Sequence, residues 1–311
     1  MSEINAADKR YFAKGFALAF LAVILWSGNF VAARALHGQI PPVSLSFFRW
    51  LLATAVLFPV ALQNVKRDWR HLLPHARYLS FTALAGVTIF NTFIYIAGRY
   101  TSATNMALIG TTAAPVFVFL ISALFLRQSL SILQYVGISL CIAGILVLLS
   151  KGDIAQLTHF HFTTGDFWIL AAALSFAIYT ILVRRKPAEL SSTAFLFAIF
   201  LLGTLFLLPA FVVDSIVSPA VQWSSTLVGA LLYLGICASV IAFLSWNLSI
   251  RQIGAPRTAL FGNLIPVFSS MEAAWLLGET VSSVTVFSFV VIVIGIVVAN
   301  FSMLKTLFPR A

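Results

Sequence analysis

Apolar residues fall in long unbroken stretches along this chain, separated by short clusters of polar and charged ones. The stretches are too long, and too continuous, for the alternating strands of a β-barrel. A bilayer core of about 30 Å takes roughly 20 apolar residues as a helix. Ten such helices are predicted, at about residues 15–36, 43–63, 76–97, 103–126, 132–150, 165–184, 191–213, 224–249, 256–277 and 281–304. The connections are short, so no soluble domain is inserted. Composition agrees: 61% of residues are hydrophobic, against roughly 45–50% in a soluble domain. The expected class is an all-α integral membrane protein.

Charge then orients the spans. With the N-terminus inside, fifteen of the 19 basic residues lie on cytoplasmic segments. Only Arg34, Arg99 and Lys151 fall outside, and Arg49 lies within the second span. Under the positive-inside rule both termini are cytoplasmic. The net charge of +10 therefore reflects retained loops beside an anionic leaflet, and no nucleic-acid partner is expected. Lys9 to Lys14, an apolar stretch and "ARA" resemble a signal peptide. That stretch is longer than a usual signal core, and the span has a partner in the second half. Cys141 and Cys237 sit in apolar runs and read as packed, reduced thiols.

The chain repeats itself. "ALIGTTAAPVFVFLISALFL" (Ala107–Leu126) matches "TALFGNLIPVFSSMEAAWLL" (Thr258–Leu277), with Pro115 on Pro266 and Thr112 on Asn263. Gly144 meets Gly295, and Pro59 meets Pro209. "WSGNFVAAR" (Trp26–Arg34) meets "FAIYTILVR" (Phe176–Arg184). The chain thus divides into residues 1–150 and 151–311, five helices each. Five is odd, so the second half enters the membrane inverted, an arrangement shared by many secondary transporters. Paired prolines in spans four and nine point to a midplane site or gate. A kink without ligand contact is the alternative.

These residues resemble a known family. "LWSGNFVAAR", "PVF" in spans four and nine, and "LLGE" closing span nine are similar to the drug/metabolite transporter superfamily, EamA type. Within it the chain looks most like bacterial exporters of aromatic and other neutral amino acids. The first half departs from the pattern, with "LRQ" where the second keeps Glu279. The resemblance implies alternating access in the inner membrane and a central cavity among spans one, three, four, six, eight and nine.

Polar side chains in such a bundle should face a cavity or another helix. On that basis the substrate-binding candidates are Trp26, Asn29, Phe30, Asn91, Tyr95, Thr112, Tyr179, Trp246 and Asn263. Each has a plainer reading: the amides can bond between helices, and Trp246 can be an interfacial anchor. Amides, hydroxyls and rings, with almost no mid-membrane cations, suit a small neutral or zwitterionic substrate. The gating candidates are Pro115, Pro266, Arg49 and Glu272. Arg49 and Glu272 fall at similar depth, and the expectation is that they pair to close the outer side; a protonated or water-facing Glu272 is the alternative.

Spans five and ten carry Gly137, Cys141, Gly144, Ser288, Gly295 and Ala299, small residues that permit close packing as scaffold or as a homodimer contact. His159, His161 and Asp166 read as a solvated loop. No phosphate loop, HExxH or serine elbow occurs, so neither enzyme activity, nor a metal, nor a cofactor is expected. The partners expected are a small-molecule substrate and the lipid bilayer. The rival readings are a broad drug or nucleoside exporter and a non-transporting receptor or scaffold.

Overall fold

The computed structural model describes residues 6–36, 39–97, 100, 110, 113–118, 120–122, 124, 131–150, 152–153, 164–277 and 283–301. Its helices, in chain order, are α1 (Ala6–Ala35), α2 (Pro42–Leu72), α3 (Ala76–Ala97), α4 (Ile132–Leu149), α5 (Thr164–Arg184), α6 (Ser192–Val217), α7 (Ser225–Ile253), α8 (Ala255–Phe261), α9 (Ile265–Leu277) and α10 (Ser283–Ala299). No strand occurs among the described residues. Among the described residues, six helices are long and apolar enough to cross a membrane: most of α1, and α2, α3, α5, α6 and α7. Shorter apolar stretches lie at Ala113–Ser122, Ile132–Gly144 and Val286–Ala299. Most of predicted span four, with Thr112, lies outside the described residues, as do His159, His161 and Glu279.

Local chemistry sets the helix ends. Ser191 and Ser224 cap α6 and α7, their hydroxyls accepting from the backbone of Ala194 and Leu227; this satisfies amides that a helix start leaves unpaired. Gly254, at φ +90°, makes the turn between α7 and α8. A 3-10 turn, Gly262–Leu264, joins α8 to α9, whose second residue is Pro266. Two wide π-helical segments, Leu84–Ile89 in α3 and Tyr233–Ile241 in α7, occupy matching places in the two halves.

Equivalent helices of the two halves pack antiparallel. Asp68, late in α2, accepts 2.7 Å from the backbone N–H of Ser191 at the start of α6. Asp214, late in α6, accepts from the backbone N–H of Ser44 at 3.1 Å and its hydroxyl at 2.7 Å, early in α2. Midway, Thr54 and Thr204 share a 3.2 Å bond. The contacts describe a two-fold axis crossing the helices near this threonine pair. The same sense holds for α4 and α10. A Cβ on Gly137 would stand 2.5 Å from the Gly295 carbonyl, and one on Gly144 3.2 Å from the Ser288 carbonyl. The small faces of predicted spans five and ten are thus turned on each other within one chain.

Candidate functional site

Between the halves lies a cavity of about 90 Å³. Its walls come from Trp26 and Asn29 of α1, Arg49 of α2, and Phe90, Asn91 and Ile94 of α3. Residues Gly110, Ala114, Pro115 and Val118 add a further side. On α5 the lining is Ile169, Ala172, Ala173, Phe176 and Thr180, and on α7 it is Phe243 and Trp246. Ala259, Gly262 and Ile265 complete it around the α8–α9 turn.

One part of the wall is polar and built around Arg49, which is only 2% exposed. Its Nε donates to Ser239 Oγ at 2.7 Å. Nη1 faces three acceptors: Asn29 Oδ1 at 2.9 Å, Tyr95 OH at 3.2 Å and Asn91 Oδ1 at 3.3 Å. Nη2 donates to the Ala238 carbonyl at 3.2 Å. Every one of these partners is uncharged. The π-helical segment of α7 supplies both Ala238 and Ser239; wide turns of this kind occur frequently at functional sites because they re-aim backbone groups. In α3 the matching segment ends just before Asn91, whose amide N–H donates back to Val87 O at 3.2 Å.

The rest of the wall is aromatic. Trp26 meets Trp246, Phe243 and Phe176 at ring separations of 4.9, 5.3 and 5.5 Å. Phe90 stands 4.6 Å from Phe176. Tilted and edge-on packing of this kind suits the aromatic quadrupole. Trp26 Nε1 also donates to the Ala238 carbonyl, at 2.9 Å, so the indole and the Arg49 guanidinium share one acceptor. Polar head and aromatic wall are therefore contiguous.

Of the sequence candidates, Trp26, Asn29, Asn91, Trp246, Pro115 and Arg49 line the cavity. Trp246 is no interfacial anchor, being 1% exposed. Tyr95 stands behind the lining, on Arg49. Tyr179 is fully buried away from the cavity, bonding Asn247 Oδ1 at 2.5 Å and packing on Gly86. Asn263 sits on the 3-10 turn that packs against α4 and α10, and does not line the cavity. Pro266 is likewise outside the lining. The side chain of Phe30 and the whole of Thr112 lie outside the described residues.

The expected Arg49–Glu272 pair is absent from this conformation. Glu272 Oε1 is instead bonded to Ser27 Oγ at 2.6 Å, and its Oε2 is buried without a hydrogen-bond partner. Equal depth says nothing about which way a side chain turns around its helix. Ser27 brings α1 against α9, whereas Asn29, two residues on, turns towards Arg49.

A bundle of apolar helices with an amphipathic cavity between two antiparallel-related halves has the build of a membrane transporter. The chain belongs to the EamA-like transporter family, which it matches twice, over residues 13–150 and 163–301. It is 30% identical to a protein of Archaeoglobus fulgidus described as an uncharacterized transporter, across 89% of this chain and 93% of that one. It is 29% identical to a probable amino-acid metabolite efflux pump of Salmonella typhimurium, across 91% and 94%. A crystal structure 21% identical to it superimposes with a TM-score of 0.75, covering 93% of this chain and 97% of that one. The last likeness concerns the fold.

Proposed function

We propose that the protein exports small neutral or zwitterionic metabolites, chiefly aromatic and other neutral amino acids, by alternating access. Ten spans in two inverted halves cross the bacterial inner membrane, with both termini cytoplasmic. The observation that carries this reading is the contiguity of the Arg49–Asn29–Asn91 head with the ring wall of Trp26, Phe176 and Trp246. An amino acid has the same two ends. The efflux pump named above supports the class of cargo. The cavity of about 90 Å³ is smaller than the ~150 Å³ that admits benzene in an apolar protein interior. Loading a ring therefore requires the halves to part, as alternating access demands.

The test is counterflow of labelled phenylalanine into liposomes carrying the purified protein. Protein-dependent accumulation supports the reading. Failure to move any neutral amino acid, with movement of nucleosides or cationic drugs, would replace it.

A further inference from the structure

We infer that Arg49 is the subsite for a substrate carboxylate, so that the cargo is defined by a carboxylate beside an apolar body. This rests on the transport reading above and narrows it. Arg49 lines the cavity although it is almost wholly buried. Among the described residues no carboxylate pairs with it, and Glu272 is held by Ser27. Cations inside a bilayer are kept where they have a partner or a task. Here five neutral acceptors and the Trp50 ring, 5.1 Å away, orient the guanidinium, and among the described residues no anion balances its charge.

The geometry leaves room for exchange. Nη1 has two hydrogens and three acceptors, of which Tyr95 and Asn91 are the longest, at 3.2 and 3.3 Å. A carboxylate oxygen would take the Nη1 hydrogen that Tyr95 and Asn91 share, since charge-assisted bonds are the stronger. Asn91 Oδ1, released, becomes an acceptor for the ammonium of a zwitterion. The ring then falls beside Trp26, which meets Arg49 at the Ala238 carbonyl.

The experiment compares probes that differ only in the carboxyl group. Phenylalanine, phenylalaninamide and phenethylamine compete against labelled phenylalanine in counterflow. In parallel, 3-phenylpropanoate and 3-phenylpropanamide are titrated against the tryptophan fluorescence of the purified protein. The acids should bind at least about tenfold more tightly than the amides and the amine, and Arg49→Gln should erase that preference. Equal binding of acid and amide to the wild-type protein overturns the assignment, whatever the variant's stability. Counterflow of phenylalanine with no acid preference leaves the transport reading standing and removes this one. No counterflow, but a fluorescence preference for the acid, does the reverse.

Discussion

Asp68 and Asp214 each cap the start of the helix that the other ends. Asp68 receives the Ser191 amide at the start of α6, and Asp214 receives the Ser44 amide near the start of α2. A carboxylate there satisfies an orphan donor and complements the positive end of the helix. Removing either charge, as Asp68→Asn or Asp214→Asn, should cost about 0.3–1 kcal/mol. The two sites lie at opposite ends of long helices, so the losses should add. Thermal unfolding in detergent checks both statements, and a double mutant no worse than one single would refute the second.

Asp68 lies beyond the apolar part of α2, so pH reaches it. Burial pushes its carboxyl up, but bonds from Arg67 and Ser191 outweigh that and hold it down at about 2, from an ordinary 3.8. A depressed acid stabilises the fold fully above its unfolded value and loses that contribution as pH falls through the folded one. The stability difference between wild type and Asp68→Asn should be constant near neutrality and shrink between pH 3.8 and about 2. A difference that instead vanished between pH 6 and 5 would point to another group.

Asn29 Oδ1 lies 2.9 Å from Arg49 Nη1. Asn29→Asp changes almost no volume but gives Arg49 a permanent partner. Thermal stability should hold or rise, while amino-acid transport should drop at least about tenfold, the factor carried by about 1.4 kcal/mol. Wild-type transport in this variant would mean that the Arg49 charge is not used.

Ser27 Oγ stands 2.6 Å from both the Ile24 carbonyl and Glu272 Oε1. One hydroxyl hydrogen faces two acceptors, and a hydrogen on the residue 272 side chain would supply the second bond. Glu272→Gln, which donates in the same place, should keep both stability and neutral-pH transport. Glu272→Ala should lose stability by leaving Ser27 short of a partner. A collapse of transport in the glutamine variant would instead assign Glu272 a proton that must come and go.

Glycine substitutions separate packing from conformation. A Cβ on Gly137 would come within 2.5 Å of the Gly295 carbonyl, so Gly137→Ala should cost about 1–3 kcal/mol. Nothing stands within 4 Å of a Cβ on Gly229, and Gly229→Ala in α7 should be neutral or gain about 0.5–1 kcal/mol. Paired melting curves decide it.

The fold was largely legible because a membrane helix is written in the length of its apolar run. The polar tail of α2 was not, since residues 64–72 are largely polar while the helix continues. The π-helical segments have no sequence signature; Tyr179 packs on Gly86 in one and Leu52 on Gly235 in the other. The cavity was half legible. On α5, polarity points to Tyr179, but its hydroxyl bonds Asn247. The face on the cavity is apolar, through Ala172, Ala173 and Phe176. Polar stripes mark helix contacts as readily as binding walls. Opposite charge and similar depth match Arg49 with Glu272, but its neutral partners come from three other helices.

The sharing of Arg49 across the two family-matched segments has a consequence for how such a chain can change. The guanidinium belongs to the first segment, while Ala238 and Ser239, which hold it, belong to the second. Neither segment builds the polar head alone. The Arg49 cluster is therefore a property of the seam. A substitution in one copy is registered as lost fit in the other, so the once-equivalent halves are free to diverge only as a pair.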